Sequence, residues 1–345
     1  MKNKNFRKYL VIGIMILFVG ASIIPTSSGT IGKLSDRVGT EPIGILSRDI
    51  IYVDDDSECP GNGTIEWPYC KIQYAIDNAS NGDDVKVASG EYFENIIVDQ
   101  ELTLDWHGSD IIGNDTGMPV IDGGGVGNVI CLTENASRIT ITDFIIQNSG
   151  PLNGAGIYGQ YPEAIDIEGN VIINNARGIH FYTIKTSNIN GNIVSNNNWG
   201  IHLNGAVLCT VQNNWIINNS HCGIALEDSV SINVRENEIR DNRLWAGIML
   251  YRSSDFGIAQ NNFIDNGKDG KIHSLAANCH TFMGFASNYY HPRNLDRSFN
   301  WYLHVGIVHV KRIPDLYSPI IFHIDFRAED EPLKIPNPVP NYPII

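Results

Sequence analysis

The chain has 345 residues, with 24 Lys and Arg against 38 Asp and Glu, a formal charge of −14. That length holds one large domain or two ordinary ones. The acidic balance disfavours nucleic acid and anionic membrane surfaces as partners, and it counts against an acidic polysaccharide unless a cation bridges the two.

Residues 1–29 carry Lys2, Lys4, Arg7 and Lys8, then an apolar run from Tyr9 to Ile24, then Pro25-Thr-Ser-Ser-Gly. A basic start, an apolar middle and a small-residue exit read as a secretion signal. The run is shorter than the ~20 residues of a spanning helix. An uncleaved anchor is the lesser alternative and the only membrane attachment expected. Without these residues the formal charge falls to about −18, because four basic and no acidic residues leave with them. Residues 30–50 read as a linker. Residues 51–84 read as an N-terminal cap: a strand at Ile51-Tyr-Val-Asp-Asp-Asp, then a short helix with Ile72, Ala75, Ile76 and Ala79 on one face. A solenoid needs its open end covered, and the helix suits that task. The spacing predicts the first strands at Val85–Val87, Ile96–Val98 and Leu102–Leu104, with Ile112, Val120–Ile121, Val129–Ile130 and Ile139–Ile146 after them.

From Asn148 to Asn266 one phrase returns: Asn170-Val-Ile-Ile-Asn-Asn, Asn192-Ile-Val-Ser-Asn-Asn, Asn214-Trp-Ile-Ile-Asn-Asn, Asn237-Glu-Ile-Arg-Asp-Asn and Asn261-Asn-Phe-Ile-Asp-Asn. A second phrase keeps step: Gly156-Ile-Tyr, Gly178-Ile-His-Phe, Gly200-Ile-His-Leu, Gly223-Ile-Ala-Leu and Gly247-Ile-Met-Leu. A period of about 22 residues means a solenoid. The apolar positions alternate with strand period. The expected fold is therefore all-β: a parallel β-helix with three strands per coil and roughly nine coils over residues 85–277. Asn175, Asn197, Asn219, Asn242 and Asn266 are expected at coil corners in the left-handed conformation. The repeated glycines are expected at another sharp corner. Residues 278–345 read as a C-terminal cap with a tail made extended by Pro332, Pro336, Pro338, Pro340 and Pro343.

These repeats, with the cap phrase from Ile51 through Ala79-Ser-Asn-Gly-Asp to Gly90-Glu-Tyr-Phe-Glu-Asn, resemble the single-stranded right-handed parallel β-helix proteins of the pectin-lyase-like superfamily. Within it, the chain is similar to the carbohydrate-binding and sugar-hydrolysis repeat proteins, a repeat class that includes the copper-processing accessory protein of nitrous-oxide reductase. The resemblance implies the right-handedness, a secreted or cell-surface setting and a polysaccharide or cell-surface glycan as partner.

Within Gly-Ile-x-Leu the central residue should face outward. Tyr158, His180, His202, Ala225 and Met249 then form one outward ladder. Tyr158, Trp199 and Trp215 are candidate sugar platforms, with His180 and His202 beside them; an ordinary exposed ladder is the plainer alternative. His180 and His202, one coil apart, are also candidate ligands for copper or zinc, although no third ligand stands in register. Asp54–Asp56 and the alternating Asp166 and Glu168 are acidic groups of the kind calcium favours. Asp166, Glu168 and Arg177 are the only candidates for lyase or hydrolase chemistry, and the polygalacturonase-type motifs Asn-Thr-Asp, Gly-His-Gly and Arg-Ile-Lys are missing. No cofactor is required by this reading. Cys59 and Cys70 flank a Pro/Gly-rich loop and are the expected disulfide; Cys209 and Cys222 either pair or stay buried and free. Sequons at Asn62, Asn78, Asn114, Asn135 and Asn218 fit a glycosylated surface protein. The expected function is non-catalytic carbohydrate binding, with a polysaccharide lyase or hydrolase, a structural surface module and a copper accessory protein as the alternatives.

Overall fold

In a computed structural model that describes residues 48–267, 274–277, 284–291, 303–307, 322–326, 331–340 and 342, each repeat makes three strands. One repeat reads Glu163–Glu168, Val171–Ile173 and Arg177–Tyr182; the next reads Asn188–Asn190, Ile193–Ser195 and Trp199–Asn204. The first strand of each repeat joins a twelve-stranded sheet, the second a nine-stranded sheet and the third an eight-stranded sheet. Pairing from repeat to repeat is parallel and in register, as in Ile167↔Ile189↔Val211↔Val234. This is a parallel β-helix. The signal segment, most of the linker, Cys279 and Trp301 lie outside the described residues.

Inward residues alternate along the strands and merge into one core. Ile157, Ile179, Ile201, Ile224 and Ile248 stack on one wall, and Ile146, Ile172, Val194, Ile216 and Ile239 on another. Ile112, expected in a strand, is in a loop instead; its amide donates to the Asp54 carboxylate (2.7 Å). That carboxylate is buried and also accepts from Asp56 and Ile111. It is thus committed to three backbone amides and ties the strand at Ile50–Val53 to the loop after Trp106.

The corners are held by amides. Asn170 Nδ2 donates to Asn192 Oδ1 (3.2 Å), and the chain continues through Asn214, Asn237, Asn261 and Asn288 at 2.9 to 3.0 Å. A second ladder runs Asn197, Asn219, Asn242, Asn266 at 2.9 to 3.2 Å, with the Asn175 amide N–H donating to Asn197 Oδ1 at its start. From Asn170 to Asn261 each ladder Asn also bonds its own turn, as Asn214 Nδ2 does to Gln212 O, and both ladders reach the coil before: Asn214 Nδ2 donates to Ile189 O and Asn219 Nδ2 to Val194 O, and Asn214 Oδ1 accepts from the Asn192 backbone. Burial of an amide is tolerable only because both ends are satisfied.

Two expectations change here. The left-handed residue is not the ladder Asn but the one before it: Asn174, Asn196, Asn218, Asp241 and Asp265 have φ between 48° and 57°. The turn residue reverses the chain and the next side chain drops inward. The repeated glycines are not corners either. Gly178, Gly200 and Gly223 lie inside strands and are not among the positive-φ residues. A Cβ on Gly200 would sit 2.4 Å from the Gly223 carbonyl oxygen, so glycine is needed for close stacking rather than for turning.

At one end the helix Ile72–Asn78 puts Ile72, Ala75 and Ile76 into the core beside Val53 and Val85. The Glu94 carboxylate accepts from the Ile72 and Gln73 amides (2.8 and 3.1 Å), so it occupies the helix N-terminus that Lys71 leaves uncapped. The Cys59–Cys70 disulfide is formed, while Cys209 and Cys222 are buried and free. The described part of the Pro-rich tail lies along the side of the nine-stranded sheet and ends in a turn closed by the Tyr342 N–H on the Val339 carbonyl (3.0 Å). Leu333 exchanges two hydrogen bonds with the Asn262 side chain (2.8 and 2.9 Å). Val339 and Tyr342 then pack over Val171, Ile193 and Trp215, several coils back. No helix of the described residues is long and apolar enough to cross a membrane.

Two predictions follow from this packing. Asn214→Ala removes both acceptor and donor from the ladder and is expected to cost about 3 kcal/mol in urea unfolding, whereas Asn213→Gly at the neighbouring left-handed position is expected to be neutral or stabilising; similar losses at both sites contradict the ladder. Removing residues 331–345 uncovers Trp215 and is expected to red-shift tryptophan emission, a shift that Trp215→Phe in the truncated chain abolishes.

Candidate functional site

The three outer faces differ in chemistry. The twelve-stranded sheet presents polar columns such as Thr140, Asp166, Asn188 and Thr210. The nine-stranded sheet presents the apolar strip beneath the tail. The eight-stranded sheet presents rings. In its register Cys131, Tyr158, His180, His202, Ala225 and Met249 stand opposite one another in sequence.

These residues do point away from the core, but they are not exposed as expected. His180 is 3% exposed and His202 8%. The cover comes from neighbouring rings. Tyr182, two residues after His180 on the same face, tilts over it at 4.6 Å. Trp199 stacks near-parallel to His202 (5.4 Å) and to His221 (5.7 Å) and meets Trp245 edge-on. Where the ladder shrinks to Ala225, Trp199 and Trp245 pack with Cys222, Ala225 and Met249 as a small apolar cluster outside the sheet. The result is a continuous band of rings from Tyr158 to Trp245. Tyr158, Trp199, His221 and Trp245 remain half-buried and Tyr182 is 37% exposed, so the band keeps a solvent-facing edge.

The two histidines are stacked with centroids 4.8 Å apart and planes 14° apart. This meets the spacing expected of a shared metal site, but parallel planes send the ring lone pairs side by side rather than towards one point. Among the described residues no group of three or more His, Cys, Asp or Glu is arranged to hold a metal ion. All four ring nitrogens are buried without a hydrogen-bond partner. Burial pushes the His180 imidazole down to about 3, and repulsion from His202 and Arg177 adds to it. Glu227 Oε2 stands 3.6 Å from His202 Nε2 and accepts from Asn204 Nδ2 at 3.1 Å. The His202 imidazole outweighs partial burial and holds the Glu227 carboxyl below its ordinary range.

The other sequence candidates do not gather here. Asp166 and Glu168 are on the twelve-stranded sheet, where Asn188 Nδ2 donates to Asp166 (2.8 Å). Arg177 is on the eight-stranded sheet, with Nη1 on the Asn153 carbonyl (3.2 Å). The three therefore share no face and form no acid–base set. Trp215 packs with Val171 and Val339 under the tail, away from the ring band. Tyr182 and Trp245 were not anticipated. Tyr182 shares His180's parity on one strand, and Trp245 stands two residues before Gly247 as His221 stands two before Gly223, so both positions were readable from the repeat.

A neutral buried His180 couples folding to pH. Its folded value lies below the ordinary 6.5, so the unfolded chain binds the extra proton. The contribution is complete above about pH 6.5 and is lost as pH falls towards 3, at about 1.4 kcal/mol per unit. Between pH 7 and 5 the urea midpoint is expected to fall by the equivalent of about 2 kcal/mol, and His180→Phe is expected to remove most of that slope. An unchanged slope in His180→Phe contradicts the assignment.

Residues 135–278, less than half of the chain, match the family model described as periplasmic copper-binding protein (NosD). Among curated proteins there is no match. Among solved structures, a GH136 lacto-N-biosidase from Eubacterium ramulus is similar at a TM-score of 0.54 and 14% identity, over 70% of this chain and 60% of that one. The A-module of the mannuronan C-5 epimerase AlgE4 from Azotobacter vinelandii is similar at 0.41 and 15%, over 69% and 88%. An alginate lyase from Paenibacillus sp. str. FPU-7 is similar at 0.41 and 14%, over 71% and 96%. At these identities the likeness concerns the fold, and the chain spans 60% of the length of the first of these structures. The chain is thus a parallel β-helix whose residues 135–278 match the NosD family model.

Proposed function

We propose that the chain is a secreted or cell-surface protein that binds a neutral glycan along the ring band without cleaving it. The observation that carries this reading is the unbroken run of aromatic side chains across successive coils on one outer face. Sugar rings present C–H faces that pack on aromatic surfaces, and polar groups beside them orient hydroxyls. Tyr158, Tyr182 and Trp245 are inclined to the stacked histidines by 58° or more, or to Trp199 by 69°, so they are the rings whose faces turn away from the stack. Asn204 and Glu227 supply an amide and a carboxylate at the edge of the band. The acidic formal charge favours a neutral chain over a polyanion. The structural relatives include a glycosidase, an epimerase and a lyase by their printed names, which fits a glycan partner; fold alone does not bring their chemistry.

A copper role is the second reading, because His180 and His202 are adjacent and buried with no hydrogen bond to their ring nitrogens, and the matched family model is described as copper-binding. The parallel ring planes count against it.

The test is a glycan array with residues 30–345, with and without calcium, followed by a cleavage assay on each hit and a copper titration. The expected result is binding without product, about tenfold weaker in Tyr182→Ala or Trp245→Ala, as loss of one stacking contact implies. Cleavage abolished by Asp166→Asn overturns it in favour of an enzyme. A blank array with tight copper binding lost in His180→Ala transfers the bet to the metal.

A further inference from the structure

Of the five Asn-x-Ser/Thr sequons, one is shaped for modification. Asn62 and Thr64, in Asn62-Gly63-Thr64, are both exposed. Asn62 Oδ1 accepts from the Thr64 main-chain N–H (3.1 Å) and from the Thr64 hydroxyl (2.9 Å). Thr64 Oγ1 itself accepts from the Trp67 N–H (3.2 Å), so its own proton is left for Asn62. No hydrogen bond among the described residues uses Asn62 Nδ2. The turn is held from both sides. The Asn62 N–H donates to the Trp67 carbonyl (2.9 Å), and the Cys59–Cys70 disulfide closes the loop. Gly63 has a φ of 79°, and a Cβ there would meet the Tyr69 ring at 2.7 Å and Ile51 at 2.9 Å, so this turn requires glycine between the Asn and the Thr.

The other sequons lack this arrangement. Asn78 Nδ2 donates to the Tyr74 carbonyl (2.8 Å). Asn218 Nδ2 donates to Asn196, and the Ser220 hydroxyl turns to Asn198 (2.9 Å) instead of to Asn218. Asn114 and Asn135 are exposed, but among the described residues no hydroxyl bonds their side-chain oxygens.

We propose that Asn62 is an N-glycosylation site and that Asn78 and Asn218, in the folded chain, are not. The proposal rests on the secreted or cell-surface setting proposed for the chain. In the transfer Nδ2 bonds to the anomeric carbon of a diphosphate-linked oligosaccharide. The C–O bond to the diphosphate breaks, its electron pair leaves with the diphosphate, and one Nδ2 proton passes to a base of the transferase. Loss of that proton spreads negative charge onto Oδ1, where two donors already point, so the Asn62 geometry lowers the cost of the step. The first sugar also has a surface to rest on. Ile65 and Trp67, on the same loop, are 44% and 47% exposed, and the C–H face of a sugar packs on such side chains. The loop covers the terminal strand of the twelve-stranded sheet, Ile50–Val53, because Tyr52 donates to Gly63 O and Tyr69 to Tyr52 O (both 2.9 Å). A glycan here shields that end of the solenoid from edge-to-edge association.

The test incubates the purified folded protein with an oligosaccharyltransferase and a polyprenyl-diphosphate-linked oligosaccharide, and follows occupancy at each site by mass spectrometry. Each site is compared with a synthetic peptide of its own sequence (57–69, 73–85 and 213–225), which removes the intrinsic preference of each sequon. The expected rate at Asn62 is within about threefold of its peptide, whereas Asn78 and Asn218 fall to about a tenth of theirs or less, the size of one lost hydrogen bond. Gly63→Ala keeps the sequon but not the turn, and is expected to slow Asn62 about fivefold in the protein while leaving the peptide unchanged. The comparison of sites in the unaltered sequence needs no variant, so it decides the matter even if Gly63→Ala misfolds. Slow modification of Asn62 relative to its peptide, or Asn78 and Asn218 keeping pace with theirs, overturns the proposal while the secreted reading stands. Fast modification of Asn62 in this assay, with Asn62 bare in protein recovered from its source cells, overturns the secreted setting and this proposal with it.

Discussion

The structure depends on buried amides that bond from coil to coil. Each ladder Asn bonds the coil before it and the coil after it, so the cost of burying a polar side chain is cancelled at every level except the ends. Because the side-chain period of a strand is two, a one-residue slip in any coil turns its core residues outward. The ladder opposes such slips, since a slipped coil leaves an amide unpaired on both sides. Glycine at the inner strand start then sets how closely coils approach, and the isoleucines fill what remains.

With the register locked, outward residues line up in columns, and each column's chemistry is simply whatever the repeat writes there. That is why the three outer faces differ so sharply. The twelve-stranded sheet repeats Thr, Asn and Asp, and side chains bond one another along its columns, as Asn188 does to Asp166 and Arg235 to Gln212. The nine-stranded sheet repeats Val, Ile and Trp on its outer side, and the proline tail covers them. The eight-stranded sheet carries rings, which pack on one another and keep a partly exposed edge. The face left with aromatic surface to offer is the one we assign to ligand.

Much of this was legible in the residues. The period of the Asn and Gly phrases was enough for the coil, the three strands and the inward isoleucines, because a stacked repeat has few other solutions. The Cys59–Cys70 pair was also readable, from its loop. The errors are local and share a cause: one residue of parity or one neighbour decides them. In Asn174-Asn175 either amide can take the left-handed turn, and only the buried partner in the next coil shows that it is the first. Gly200 reads as a corner until the Gly223 carbonyl is placed against it. Strand parity turns His180 outward, but its cover comes from Tyr182 and from rings of the next coil, which parity alone does not show. Trp215 and Trp199 look alike in the repeat, yet Trp215 belongs to a different sheet, under a tail more than a hundred residues later.

The ring face of the eight-stranded sheet is where we propose that ligand binds. The most direct measurement is a crystal structure of the protein with an oligosaccharide hit. Density across Tyr158, Tyr182 and Trp245 is the predicted result. Density over the polar columns around Asp166, with the ring band bare, contradicts it.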